Sequence, residues 1–137
     1  QAHDVHLATL KRENLLSEAI PIITIDMNSR VRSDFEIEER YTVKREGTCH
    51  GLGGWFRADF PGDIALDTSP GEPLTEWAQA FFPILEPVKV KRGDEVIVKF
   101  IAKADNGIVH FTREVSFPKT SGKPSFIGDT RKVKFCD

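Results

Sequence analysis

The chain has 137 residues, of which 39% are hydrophobic and 29% charged, and its formal net charge is −2. A chain of this length fits one domain and buries about 68% of its unfolded surface, so a core can form without disulfides or metal. The small net charge argues against nucleic acid or anionic membrane as a bulk electrostatic partner.

In chain order, residues 3–18 read as a short N-terminal helix. Val5, Leu7, Leu10, Leu15 and Leu16 make an imperfect 3.6-residue stripe, and Pro21 ends it. "IPIITIDM" (20–27) is a β-branched run and reads as a buried strand. "DFEIEERYTVK" (34–44) alternates, with Phe35, Ile37, Tyr41 and Val43 on one face and Glu36 and Glu38 on the other. "HGLGGWFRADF" (50–60) reads as one strand with Leu52, Gly54, Phe56, Ala58 and Phe60 sharing a face. Glycines inside a strand mark a bulge, a sharp bend or a close backbone approach.

"TSPGEP" (68–73) interrupts the pattern as a loop, Thr75, Glu76 and Trp77 follow, and "AQAFFPIL" (78–85) returns to a strand. "DEVIVKFIAKA" (94–104) places Val96, Val98, Phe100, Ala102 and Ala104 together. Asn106-Gly107 is a two-residue hairpin signal leading into "IVHFTREVSF" (108–117), where Val109, Phe111, Val115 and Phe117 keep the period. Residues 118–137 lose it, except for a short last strand at 132–136. The expectation is one mainly β domain over 1–137, an antiparallel β-barrel or barrel-like sandwich. It has a helical lead-in (1–19), a barrel (20–117) and an irregular C-terminal segment (118–137).

Cys49 and Cys136 form no CxxC pair and no disulfide framework, which suits a reducing compartment. No apolar run approaches the roughly 18 residues of a membrane span, and the N-terminus has no signal-peptide core, so the chain reads as cytoplasmic. His3, Asp4 and His6 have helical spacing for a metal but lack further ligands, so solvated polar residues are the better reading. Cys49 and His50 are strand neighbours and point to opposite faces, which disfavours a nucleophile pair. "GLGG" (51–54) precedes no helix and fits no phosphate-binding loop. Glu36, Glu38 and Glu39 read as a solvated face.

The most specific stretch is "LDTSPGEPLTEWAQAFFPIL" (66–85). Its prolines stiffen a turn. Thr75 can bond the local backbone, Glu76 can pair with a guanidinium, and Trp77 offers a flat face with one donor. These residues alone suit either a packed structural loop or a binding loop.

This stretch, with "WFRADF" before it and "EPVKVKRGDEV" after it, resembles the C-terminal β-barrel of the protein arginine N-methyltransferases. The residues that carry the likeness are Leu66, Thr68, Ser69, Pro70, Pro73, Thr75, Trp77, Gln79, Leu85, Val90 and Gly93. It extends over roughly Leu15 to Val115, and "LLSEAIPIITIDM" looks like the segment joining the family's dimerisation arm to the barrel.

The resemblance implies a substrate-binding role for Thr75, Glu76 and Trp77, with no catalytic, cofactor or metal residue on this chain. It implies S-adenosylmethionine as cofactor of the full enzyme, bound by a Rossmann-like half that this chain lacks. It further implies association with that half or a second subunit, a homodimer, and a protein or peptide substrate. The family's Thr-His-Trp reads Thr75-Glu76-Trp77 here. The reversed charge implies either a changed partner residue in the catalytic half or a substrate other than protein arginine. The competing readings are a standalone non-catalytic β-barrel interaction module and a small-ligand barrel. The latter is disfavoured because the Leu52–Phe60 face reads as filled core.

Overall fold

The computed structural model describes residues 5–29, 34–118 and 126–134, the last group by backbone alone. Among the described residues nine strands follow in order: β1 (His6–Ala8), β2 (Phe35–Thr42), β3 (Gly47–Gly54), β4 (Arg57–Phe60), β5 (Ile64–Asp67), β6 (Gln79–Val90), β7 (Glu95–Asp105), β8 (Ile108–Ser116) and β9 (Phe126–Lys134). All pairings are antiparallel. One sheet runs β1-β6-β3, a second β2-β7-β8-β9, and β4-β5 forms a separate ribbon. No ladder joins the two larger sheets among the described residues, so the arrangement is a barrel-like sandwich rather than a closed barrel.

The second sheet forms as its alternation predicts. Along β2 the side chains alternate between half-buried and exposed, and along β7 Val96, Val98, Phe100 and Ala102 are buried. Asn106 and Gly107 both adopt positive φ, 49° and 74°, the conformation a two-residue hairpin turn between β7 and β8 requires. The inner faces of the two sheets meet in one core. Cys49, Ile84, Val88 and Val90 come from the first sheet, and Val96, Val98 and Val115 from the second, joined by Val43 and Phe117. Phe100 extends this core as the centre of an aromatic group with Phe35, Phe82 and Phe111. Arg113 occupies an inward position on β8 that the apolar period passes over. It is fully buried, its guanidinium lies 5.4 Å from the Phe82 ring centre, and it donates to the Pro83 carbonyl at 3.0 Å.

Four sequence expectations change. The helix over 3–18 does not form: that stretch holds β1 and a single 3-10 turn at Arg12–Asn14. Its leucines serve an extended strap instead. Leu10 lies where a Cβ on Gly53 would stand, and Leu16 lies against Gly47, so glycines of β3 make room for leucines of the lead-in. The strand over 20–27 is absent, and Ile22, Ile23, Ile25 and Met27 are exposed. A β-branched run becomes a strand only when a pleated neighbour packs against it. The strand over 50–60 is interrupted at Trp55 and Phe56, after which β4 leaves the sheet to pair with β5. Phe56 and Phe60 are therefore exposed rather than core. Finally, β9 occupies Phe126–Lys134, where irregular chain and a strand at 132–136 were expected.

Of the three readings open for the strand glycines, a bulge, a bend or a close approach, Gly51 realises the close approach, beside a bulge carried by the facing strand. Between Cys49↔Val88 and Gly51↔Pro83, β6 carries extra residues opposite His50. Pro83 and Pro87 flank these residues, and proline in a sheet is confined to bulges and edges because it cannot donate to the ladder. A Cβ on Gly51 would overlap the Phe82 carbonyl oxygen and stand 2.8 Å from Pro83 Cα. The glycine lets the two backbones approach.

Candidate functional site

The segment between β5 and β6, residues 68–78, leaves the sheets as a loop. Its first residue is fixed to the break that follows β3. Thr68 is buried, its N–H donates to the Phe56 carbonyl at 3.1 Å, and its hydroxyl donates to the same carbonyl at 2.9 Å. The Phe56 N–H in turn donates to Thr68 Oγ1 at 3.1 Å. This reciprocal pair replaces the ladder that β3 gives up at Trp55.

Just beyond, the Ser69 N–H donates to Asp67 Oδ1 at 2.9 Å. Hydrogen bonds from Ser69, hydroxyl first and backbone second, hold the Asp67 carboxyl below its ordinary range. The turn at Ser69–Glu72 closes with the Glu72 N–H donating to the Ser69 carbonyl, and Gly71 takes φ +92°. A side chain at 71 would collide with Arg12, which lies across the turn. Arg12 Nε donates to the Pro70 carbonyl at 3.3 Å, and its Nη2 pairs with Glu72 at 3.4 Å.

At the other end of the loop stands Gln79, 7% exposed. Its Nε2 donates to the Thr68 carbonyl at 2.8 Å, and its Oε1 accepts from the Leu10 N–H at 2.8 Å. One amide thus joins the start of the loop, its end and the lead-in.

Thr75, Glu76 and Trp77 lie together on the outer part of this loop. The Thr75 hydroxyl accepts the Trp77 N–H at 3.0 Å and donates to the Trp77 carbonyl at 3.1 Å, a local turn of the kind Ser and Thr favour. Trp77 is 59% exposed, and Phe56 meets it edge to face at 5.9 Å and 83°. Glu76 is exposed, and no hydrogen bond or ion pair engages its carboxylate among the described residues. The corner therefore offers a carboxylate, an aromatic face and a hydroxyl already committed to holding the turn. That set suits a cation with an apolar stem.

His6 lies exposed in β1 rather than on a helix, and His3 and Asp4 fall outside the described residues. Among the described residues no three His, Cys, Asp or Glu side chains gather as a metal site. The Cys49 thiol is buried, and burial raises its pKa, which favours an inert side chain over a nucleophile.

From the sequence, Thr68 and Gln79 enter only as residues that carry the family likeness, Phe56 is placed on a core face although the structure exposes it, and Arg12 has no signal.

The family profile described as "Arginine methyltransferase oligomerization subdomain" matches residues 2–120. Protein arginine N-methyltransferase 2 of Homo sapiens is 37% identical over 97 residues, covering 64% of this chain and 22% of that protein. Arginine N(omega)-methyltransferase of Streptomyces achromogenes subsp. streptozoticus is 33% identical over 87 residues, covering 61% and 23%. The chain thus spans less than a quarter of the length of these curated relatives. Among solved structures, the Trypanosoma brucei PRMT1 enzyme-prozyme heterotetrameric complex with AdoHcy superimposes with TM-score 0.79 at 18% identity. It covers 94% of this chain and 44% of that one. Arabidopsis thaliana Protein Arginine Methyltransferase 10 gives TM-score 0.76 at 19% identity, covering 93% and 42%. At these identities the structural likeness concerns the fold.

Proposed function

The chain belongs to the arginine methyltransferase family, through its oligomerization subdomain, and from this premise we propose that it walls the acceptor side of a methyltransferase active site. The observation that supports this reading is the Thr75–Trp77 corner. It combines an exposed Trp face, an exposed carboxylate and a turn fixed by its own threonine. Trp77 packs the stem of a guanidinium or amine acceptor, and Glu76 contacts its charged head. Thr75 keeps both in place. Orientation of the acceptor nitrogen is the share of the reaction that such a wall supplies.

S-adenosylmethionine is the cofactor of the proposed full enzyme, and it supplies the methyl group when bound. The glycine run of this chain does not fit it. The Gly51–Gly54 run lies inside β3, where Gly51 closes on the β6 backbone and Gly53 on Leu10, so these glycines form no cradle and open no helix. We assign the cofactor to a Rossmann-like half outside this chain.

The subdomain's description and the heterotetrameric relative support assembly with a second subunit, for which we propose a homodimer. The acceptor is a protein, a peptide or a smaller arginine-like molecule, since relatives named for arginine span both human and bacterial proteins. Residues 1–137 act as one unit in this scheme. No helix among the described residues is long and apolar enough to cross a membrane. A cytoplasmic location is part of the proposal, supported by the free Cys49 thiol.

Titration calorimetry and a methyl-transfer assay test the reading together. This chain alone should bind no S-adenosylmethionine, and the intact protein should bind it and methylate an arginine-containing acceptor. The Trp77→Ala change should raise the acceptor's KM about tenfold. Tight cofactor binding by the isolated chain would sink the proposal. An intact protein that neither binds cofactor nor transfers methyl would favour the standalone interaction module.

A further inference from the structure

The loop that carries Thr75, Glu76 and Trp77 has few anchors, and they converge. Its two ends, Thr68 and Gln79, are both buried, and a single hydrogen bond from Gln79 Nε2 to the Thr68 carbonyl closes the neck between them. The other end of that amide holds the Leu10 N–H, in a segment 69 positions away. The orientation of the amide follows from its partners: a backbone N–H needs the oxygen, and a backbone carbonyl needs the nitrogen. On the outer flank Arg12, two residues beyond Leu10, reaches the Pro70 carbonyl and Glu72 over a glycine that leaves it room. Just before Leu10, β1 is registered on the start of β6, with Ala8 opposite Gln79 itself. The lead-in thus grips the loop at its neck and on its outer turn, and both grips depend on the same docked stretch, residues 6–12.

We infer that Gln79 is a positioning residue, tying the Thr75–Trp77 loop to the lead-in strap so that the loop takes its working place only when residues 6–12 are docked. The two arms are unequal in strength. The Gln79 bonds are short, the one to Thr68 buried and the one to Leu10 partly so, and breaking them leaves backbone groups short of a partner. The Arg12 contacts are long, and its side chain is 70% exposed, so they trim the loop's position without holding it alone. Anything that pulls on the chain ahead of β1, such as assembly with a second subunit, would then reach the acceptor corner through Gln79.

This inference rests on the proposed acceptor-side role of the loop only for its effect on activity; the mechanical link stands apart from it. The test therefore uses two readouts on the intact protein labelled with 5-fluorotryptophan. The Trp77 fluorine signal, assigned with Trp77→Phe, reports the loop, and steady-state kinetics report the acceptor site.

Gln79→Met removes both bonds at similar volume. The expected result is a Trp77 signal moved to the solvent-exposed position and an acceptor KM raised about tenfold, with cofactor affinity unchanged. Gln79→Glu keeps the acceptor for Leu10 but sets a carboxylate oxygen against the Thr68 carbonyl, and should move the signal at least as far as Gln79→Met. Should either protein fail to fold, the surface change Arg12→Met still moves the signal part of the way.

A Trp77 signal unchanged in folded Gln79→Met or Gln79→Glu protein would overturn the inference. A moved signal with unchanged kinetics would uphold the link and instead overturn the acceptor-side reading of the loop.

Discussion

The β2-β7-β8 face and the strap-and-loop region are built on opposite principles. In the first, each residue repeats what its neighbour two positions away does: ladder bonds run between the strands, and every second side chain, apolar, faces the core. In the second nothing repeats. Residues 8–14 and 68–79 are held by a few side-chain bonds to distant backbone groups, chiefly those of Thr68, Gln79 and Arg12. A periodic region spreads its stability over many equivalent contacts, whereas an aperiodic one depends on individual atoms. The first makes a scaffold, and the second makes a place that can be positioned, which is where binding residues sit on rigid folds.

The largest effect should come from putting a charge into the periodic face. Val115 is fully buried in the shared core. Val115→Asp should cost more than about 4 kcal/mol and abolish cooperative melting by circular dichroism. Its exposed neighbour Glu114 should tolerate Gln within about 0.5 kcal/mol. If both changes were equally mild, the core described here would not be the one that holds the two sheets together.

The next effect separates two glycines on one strand. Gly51→Ala drives a Cβ into the Phe82 and Pro83 backbone, which has no flexible end to move, and should cost about 1–3 kcal/mol in urea unfolding. Gly54→Ala places its Cβ 3.4 Å from a Phe82 ring carbon and should cost only a few tenths. Equal costs would show that the bulge, and with it the close approach of β3 and β6, is not formed.

Legibility follows the same division. The sequence carries β2, β7, β8 and their Asn106-Gly107 turn because period two and positive-φ residues are local signals. It marks Gly51 as a bulge, a bend or a close approach without choosing among them. The lead-in is misread because Leu10 and Leu16 happen to fit a helical stripe, while their partners are gaps over Gly53 and Gly47, about thirty to forty residues away. The run at 20–27 has strand propensity without a strand to pair with. For the candidate site, residue types at 75–77 are legible through the family likeness. Their supports are not, since the Thr68–Phe56 and Gln79–Leu10 bonds join positions 12 and 69 apart and leave no periodic trace.

Alkaline titration sharpens the comparison by a subtler route. Burial raises the Cys49 pKa, so the folded chain keeps a proton that the unfolded chain releases more easily. The stability tied to this group is complete below the ordinary thiol pKa and is lost as the pH rises through the folded value. Urea midpoints should therefore fall from neutral to alkaline pH, and Cys49→Ala should flatten part of that fall. Tyr41, half-buried and also raised, by burial and then by Glu39, accounts for a further part in the same direction. An unchanged alkaline slope in Cys49→Ala would place the thiol outside the core.

The smallest effect on stability belongs to the residue expected to matter most for function. Trp77 is more than half exposed, and among the described residues its aromatic neighbour is Phe56 at 5.9 Å. Edge-to-face pairs are worth about 0.5–1.5 kcal/mol, and an exposed pair sits at the low end. Trp77→Ala should shift the melting midpoint by only a few degrees for a domain this size. A large tryptophan left mostly in solvent, on a turn that threonine has already fixed, contributes little to folding and so asks for another occupant. A Trp77→Ala protein that melted as far below wild type as Gly51→Ala would mean that Trp77 packs as core, and the corner would lose its claim to be a binding surface.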